Sequence, residues 1–136
     1  MTMTRGLAPK PETVAVPDAK DVFSSIADLR TIGDAICKVV NNTNKSVDVT
    51  LQLALDDDPT MTDPYEGGES TGGDYIVAGV ISATAGIATT TLAATETAYF
   101  RVRGPWAFAR IKGKPAEAPA AGGTLTVVWS YKHRGD

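Results

Sequence analysis

Acidic side chains are concentrated in the segment 56–74, where seven carboxylates fall within nineteen positions. They are Asp56, Asp57, Asp58, Asp63, Glu66, Glu69 and Asp74. Calcium takes about six to eight oxygen ligands, and a loop of this composition supplies such ligands. The spacing departs from an EF-hand, because Met61 stands sixth from Asp56, where that motif needs glycine. We interpret the segment as a solvated acidic loop and predict no metal site.

Basic side chains alternate along two segments that have the pattern of β-strands. Arg101 and Arg103 share a face of the first segment, and a second set shares a face of the other: Phe108, Arg110, Lys112 and Lys114. Basic strands with aromatic neighbours are typical of platforms for single-stranded nucleic acid. They are also typical of the outer face of a half-buried sheet. Since the net charge is −3, we predict no nucleic-acid partner.

An acidic loop and a basic strand pair on one small protein are complementary surfaces, and we interpret them as contacts between subunits. Glutamate at positions 101 and 103 would test this, because unchanged assembly would count against it. The subunit-interface hypothesis also includes the proline-rich N-terminal segment. Its residues are Arg101, Arg103, Arg110, Lys112, Lys114, Asp56, Asp57, Asp58, Pro9, Pro11, Val14 and Val16.

Candidates for catalysis are few. Cys37 is the only cysteine, which excludes an intrachain disulfide, and His133 is the only histidine. A cysteine on a predicted strand is more often a core residue than a nucleophile, and a zinc site needs about four ligands. The carboxylates of 56–74 are numerous enough for a glycosidase pair, but nothing in the sequence fixes their separation. We predict no catalytic residue, no cofactor and no enzymatic activity.

The strand that must position these segments is Val47–Leu55, in which every second residue is apolar. Successive side chains of a β-strand point to opposite faces, so this alternation predicts one apolar face and one wet face. We expect a central strand in a sheet that is packed on one side only. The acidic loop leaves its end.

Further short strands are predicted on both sides of it. Residues 35–55 have the pattern of a β-hairpin with a turn at Asn41–Asn44, and 22–32 fits either a short helix or a strand. The remaining predicted strands are 74–82, 87–94, 99–103, 108–112 and 124–131, with a break at Gly104-Pro105. Seven or eight strands without a long helix predict an all-β protein, an antiparallel β-sandwich of jelly-roll or immunoglobulin-like connectivity.

Composition and length favour one soluble globular domain: the chain has 136 residues, 43% hydrophobic and 21% charged. Residues 1–21, with Pro9, Pro11 and Pro17, are predicted to be an extended arm, and 22–136 the sandwich. Val14-Ala15-Val16 has the composition to pair with a sheet edge. No apolar run reaches the length of a membrane span or signal peptide, so we expect no membrane partner and synthesis in a cytoplasm.

Three motifs of the sequence have a familiar combination: a Val-Val-Asn-Asn turn before an alternating strand at 39–55, an aromatic–Arg–Val–Arg strand at 99–103, and a Gly-Thr-Leu-Thr-Val strand at 123–127. Together they resemble small β-sandwich virion proteins of tailed phages, the class that includes capsid decoration proteins and tail or fibre components. The resemblance covers roughly residues 22–132. It implies a structural role, arms that lock neighbours, and assembly on a symmetric shell or tail.

The sequence therefore predicts a non-enzymatic virion protein, a capsid decoration (cement) protein that stabilises the head at capsomer junctions. Its expected partners are copies of itself, with a trimer as one arrangement, and major capsid or other virion proteins. A tail, neck or fibre component is the sibling prediction. A carbohydrate-binding module is the alternative from another class, with Trp106, Trp129, Tyr131 and Tyr75 as candidate stacking platforms, although Trp129 shares an apolar face with Leu125 and Val127.

Overall fold

Twelve β-strands make up the regular structure of the part of the chain that this computed structural model describes, residues 10–66, 73–77, 80–82, 89–103 and 106–133. They are β1 (Glu12–Ala15), β2 (Val22–Phe23), β3 (Ala27–Asp28), β4 (Ile32–Asn41), β5 (Val47–Ala54), β6 (Tyr65–Glu66), β7 (Gly73–Val77), β8 (Val80–Ser82), β9 (Thr89–Leu92), β10 (Thr97–Arg103), β11 (Phe108–Pro115) and β12 (Thr124–His133). The all-β prediction is confirmed.

The strands form two antiparallel sheets that pack face to face. Sheet I has the order β1-β12-β4-β10-β7-β8. In sheet II the central pair is β11 and β5; β2 and β3 lie on the outer side of β11, while β9 and β6 lie on the outer side of β5. The β-sandwich predicted from the alternating pattern is thus the observed architecture.

The order of pairing is that of a jelly roll. Eight strands remain when β6 and the hairpin β7–β8 are set aside and β2 with β3 count as one edge. They pair first with last (β1–β12), second with seventh (β2/β3–β11), third with sixth (β4–β10) and fourth with fifth (β5–β9). Successive pairs alternate between the sheets, as happens when one long antiparallel hairpin is rolled up. The connectivity that the sequence left open is therefore the jelly roll.

The core lies between the sheets and follows the predicted alternation. Val47, Val49, Leu51 and Leu53 are fully buried on the inner face of β5. The inner face of β12 contributes Leu125, Val127 and Trp129, as its alternation predicted. Each apolar side chain of this size stabilises the fold by about 1.5–3 kcal/mol relative to an exposed position.

The predicted hairpin over 35–55 is wrong. β4 and β5 do not pair; β4 belongs to sheet I and β5 to sheet II, so residues 42–46 cross between the sheets. Fully buried Asn41 holds this crossing, since its Nδ2 donates to the carbonyls of Lys45 (2.8 Å) and Leu92 (3.0 Å), and its Oδ1 accepts from the Thr43 amide (3.0 Å). The expected self-bonding turn is present, but it connects layers rather than neighbouring strands.

The ambiguous segment 22–32 forms two short strands separated by a β-bulge. Phe23 is opposite Lys112 and Ala27 is opposite Ala109, so β2 and β3 have one residue more than β11. Buried Ser24 supplies the hydrogen bonds that the bulge interrupts. Its amide donates to the Ile111 carbonyl (2.9 Å), and its hydroxyl accepts from the Ile111 amide (2.8 Å). A hydroxyl thus replaces the carbonyl that a regular strand would offer.

The sandwich begins before residue 22. β1 pairs with β12 over Glu12–Ala15, and Val14 and Val16 are buried in the main core, with 9% and 1% of their surface exposed. Residues 12–16 therefore belong to the domain itself and not to an arm outside it. The pairing of Val14-Ala15-Val16 with a sheet edge is as predicted, and the edge is that of this chain's own β12.

Candidate functional site

The acidic loop begins with a turn in which the Asp58 carboxylate accepts hydrogen bonds from backbone amides of the same loop. One oxygen of its carboxylate accepts from the Thr62 amide (2.8 Å) and hydroxyl (2.9 Å), and the other accepts from the Asp63 amide (2.9 Å). The Asp63 and Thr62 amides lower the pKa of Asp58, because they stabilise its charged form. This carboxylate shapes the loop.

The loop lies over the outer face of sheet II and covers part of it. Met61, with 2% of its surface exposed, forms a second apolar cluster with Ala54, Ala107 and Phe108. Gln52, whose side chain lies on this outer face of β5, is also buried. The prediction that this sheet packs on one side only is therefore wrong, because the loop that leaves β5 returns onto its wet face.

A groove of about 300 Å³ remains between the loop and the sheet. Its walls include Leu55, Asp57, Asp58 and Asp63, and Tyr65 lies at its side. Among the side chains that the structure describes, no group of three acidic, histidine or cysteine residues is placed to hold a metal ion. The side chains of Glu69 and Asp74, which complete the acidic set, lie outside the described residues.

The two basic strands lie on opposite sides of the molecule. β10, with Arg101 and Arg103, belongs to sheet I, whereas β11, with Arg110, Lys112 and Lys114, belongs to sheet II. The described side chains, those of Arg101 on β10 and of Arg110, Lys112 and Lys114 on β11, lie on the outer faces of different sheets, so they do not form one continuous ribbon. Of Arg103 only the backbone is described.

Arg110 is the most constrained of these cations. Its Nε donates to Gln52 Oε1 (2.9 Å), its Nη2 donates to the Met61 carbonyl (3.3 Å), and its guanidinium lies 4.3 Å from the centre of the Phe23 ring. Burial lowers the pKa of Arg110, while the charge of Asp58 acts in the opposite direction. The acidic loop and this basic strand therefore face each other within one chain.

The other cations on described side chains also have acidic neighbours nearby. Lys112 Nζ lies 3.9 Å from carboxylate oxygens of both Asp21 and Glu66. On sheet I, Arg101 binds Asp34 through two hydrogen bonds of 3.2 and 2.7 Å. Lys114 is exposed, and in the β5–β11 register it lies opposite Asp48. These contacts are satisfied in the single subunit, and they are of the exposed or half-exposed kind that contributes about 0–1 kcal/mol each.

Cys37 and His133 are not brought together. Cys37 is fully buried on β4, and burial raises the pKa of its thiol well above the ordinary value. His133 is exposed and lies opposite Ile32, five residues along β4 from Cys37, which corresponds to roughly 16 Å. The two groups are therefore too far apart for proton transfer.

Most of the candidate stacking aromatics are packed inside. Trp129 is 7% exposed and stacks on half-buried Tyr131, with ring centres 6.2 Å apart; Trp106 is 9% exposed. Tyr65, which sequence reasoning passed over, is 54% exposed beside Trp106, with ring centres 5.4 Å apart. Its position after a proline in a polar loop gave no signal of this contact. The side chain of Tyr75 lies outside the described residues.

The interface residues proposed for the N-terminal segment are placed differently from one another. The side chains of Val14 and Val16 are in the core and offer no contact to a neighbour. Pro11 is exposed, and Pro9 lies outside the described residues. The neighbours Thr13 and Ala15, which the sequence did not single out, are exposed on the edge strand.

The outer face of sheet I is bare by comparison with that of sheet II. Ile36, at the middle of central strand β4, is 40% exposed, and its lateral neighbours in the register are Arg101 and Ser130. Val40 and Val128 on the same face are half-buried. No described loop covers this face, which makes it a candidate interaction surface.

A scan against models of protein families found no match, and neither did searches of the curated proteins and of the solved structures. The described residues include no helix of the length and apolarity needed to cross a membrane. The fold and the surfaces above are therefore the observations on which a function is argued.

Proposed function

We propose that this chain is a non-enzymatic structural subunit of a phage virion, a capsid decoration protein that binds the assembled shell. The jelly roll supports this proposal at the level of the fold, since that architecture is common in viral capsid domains, although lectins and cupins share it. The resemblance of the strand motifs to small virion proteins points in the same direction.

The observation that carries the proposal is the bare outer face of sheet I. On this face exposed Ile36 and half-buried Val40 and Val128 are interspersed with charged side chains, among them Lys38 and Arg101, and such a mixture of apolar and polar groups is the composition of a non-obligate interface. Arg101, paired with Asp34, lies directly beside Ile36 on the neighbouring strand β10. Many copies bound through such faces would stabilise an assembled shell by mass action, because each contact is lost when the shell loosens.

The test is particle association of full-length variants. Ile36→Glu places a charge at the centre of the bare face, and we expect it to abolish co-sedimentation with purified particles. Ile26→Glu is a matched control, since Ile26 is 38% exposed at the edge of sheet II, and it should bind as the original does. Equal binding by both variants would contradict this surface. Recovery with tails and not with heads would replace decoration by the tail, neck or fibre role.

One observation favours a second candidate, a carbohydrate-binding module. Tyr65 presents an exposed ring beside a groove that carries Asp57, Asp58 and Asp63, and aromatic faces with carboxylates suit a sugar. A glycan-array signal that is lost in Tyr65→Ala and kept in Tyr99→Ala would establish this function. Absence of any glycan signal for the original chain would exclude it.

A further inference from the structure

The backbone of β1 is bonded on one side and open on the other. The Val16 amide donates to the Gly123 carbonyl (3.0 Å), and the register pairs Val14 with Leu125. Alternate residues of an antiparallel strand bond the same neighbour, so Thr13 and Ala15 direct their N–H and C=O groups away from β12. No other described strand pairs with β1.

The open edge lacks charged side chains in its centre. Thr13 and Ala15 are exposed, small and uncharged, whereas natural edge strands are commonly blocked by lysine, by inward charges or by a bulge. Proline is present, but only at the two ends, as Pro11 and Pro17. These prolines limit pairing to a short ladder and leave the centre able to pair.

The sequence around Val14 is self-complementary for an antiparallel partner. If two copies of β1 cross at Val14, Thr13 of each lies opposite Ala15 of the other, and the prolines at 11 and 17 face each other. Just beyond each end of the ladder, Lys10 of one copy and Asp18 of the other come to the same end, so opposite charges meet on both sides of the axis; Asp18 Oδ1 also accepts from the Lys20 amide (2.8 Å).

We propose that β1 pairs with β1 of a second copy of this chain about a two-fold axis at Val14. Each Thr13 then exchanges both of its outward hydrogen bonds with Ala15 of the other copy. Sheet I of one copy and sheet I of the other then form one continuous sheet, and the facing prolines end the new ladder. Because the open edge of each β1 is bonded to the β1 of the other copy, no β1 edge is left for a third copy, and the product is a closed dimer rather than a fibre or a trimer. This pairing does not depend on the virion role.

The first test measures the mass of the full-length chain by sedimentation velocity over a dilution series. We expect a dimer for the original chain and a monomer for Ala15→Pro, which removes an outward N–H and no bond to β12. Ala15→Val keeps that N–H and should remain dimeric. A monomer at all concentrations for the original chain, or a dimer that survives Ala15→Pro, would overturn the proposal.

The second test uses charge reversal and does not require a proline to be accommodated. Lys10→Asp alone and Asp18→Lys alone each place like charges across the axis, and we expect the dimer Kd to rise roughly three- to thirty-fold. The double variant restores both pairs and should return the Kd to the original value. Additive weakening in the double variant would overturn the two-fold register. Loss of particle binding by Ile36→Glu with an intact dimer would separate this contact from the proposed function.

Discussion

The two outer faces of the sandwich are built in opposite ways. On sheet II the acidic loop that follows β5 folds back and packs Met61 against the outer face, and Arg110 bonds both that loop and Gln52. On sheet I, Ile36 is 40% exposed on a central strand, and no described loop crosses it. One face is part of the folded core, and the other is available to a partner.

The contrast shows that charge density alone does not identify an interface. The acidic loop and the β11 cations were the most conspicuous surface features of the sequence, yet within one subunit Arg110 bonds the loop at the Met61 carbonyl and feels the charge of Asp58, and Lys112 lies 3.9 Å from Glu66. The face without a described covering loop has charges of its own, Asp34, Lys38, Arg101 and Lys132, and is distinguished instead by exposed Ile36. Substitutions that act differently on the two faces therefore test this division directly.

The largest difference is expected between Met61→Ala and Ile36→Ala. Met61 is 2% exposed, so its truncation should lower the free energy of unfolding by about 2–4 kcal/mol, through lost burial and a cavity. Ile36→Ala should cost under about 1 kcal/mol, because much of that side chain is already in water. Urea denaturation monitored by fluorescence gives both values. Equal costs would mean that the loop does not seal sheet II.

A smaller difference is expected between the two arginines. Arg110→Ala leaves Gln52 Oε1 without its donor and removes the stack on Phe23, which should cost about 2 kcal/mol. Arg101→Ala breaks a half-exposed ion pair with Asp34 and should cost under about 1 kcal/mol. The same denaturation experiment compares them. A larger loss of unfolding free energy in Arg101→Ala than in Arg110→Ala would mean that the outer face of sheet I contributes more to stability than that of sheet II.

Substitutions at the β2/β3 edge of sheet II should lower the free energy of unfolding more than substitutions at the β1 edge of sheet I. Ser24→Ala leaves the buried Ile111 amide without an acceptor, and we expect a loss of about 1–2 kcal/mol. Thr13→Ala, on the open edge of sheet I, should change stability by under about 0.5 kcal/mol. Hydrogen exchange of the Ile111 amide provides a local readout, since it should accelerate only in Ser24→Ala. Unchanged exchange would show that the bulge has another acceptor.

The smallest effect is a dependence on pH that originates on the side of sheet II. Hydrogen bonds from Arg30 lower the pKa of Asp28 from 3.8 to about 2, and backbone amides lower that of Asp58. Because the folded pKa values lie below the unfolded ones, the stability they add is complete above about pH 4 and is lost as the pH falls toward 2. The melting temperature should fall over this window, and less steeply in Asp58→Asn. Asp57→Asn is the control, and an equal slope in all three proteins would contradict the assignment.

Local patterns in the sequence predicted the strands well, because alternation reports directly which side chains a sheet buries. The inner faces of β5 and β12, including Trp129, follow from spacing alone. β10 ends at Arg103 and β11 begins at Phe108, while Gly104 and Pro105, where a bulge or bend was predicted, lie outside the described residues.

Tertiary contacts between segments that are distant in sequence were not predictable from the same patterns. The turn after Asn41 suits a hairpin, but whether a chain turns back within a sheet or crosses to the other one depends on contacts with Leu92, far along the chain. The return of Met61 onto sheet II was equally hidden, because one methionine in an acidic loop has no periodicity. The open edge at Thr13 and Ala15 depends on tertiary structure, since among the described strands only β12 pairs with β1.

The rolled-up order of pairing has a consequence for how the chain acquires its structure. β12 lies between β1 and β4 in sheet I, so β1 has no partner strand until β12 is made, whereas β4, β10, β7 and β8 can pair before it. Completion of sheet I therefore waits for a strand that is far from β1 in sequence, and the closure of such distant pairs belongs to the slow, millisecond-to-second class of all-β domains. During that interval the early strands have unpaired edges, and the prolines at 11 and 17 restrict what the first of them can bind.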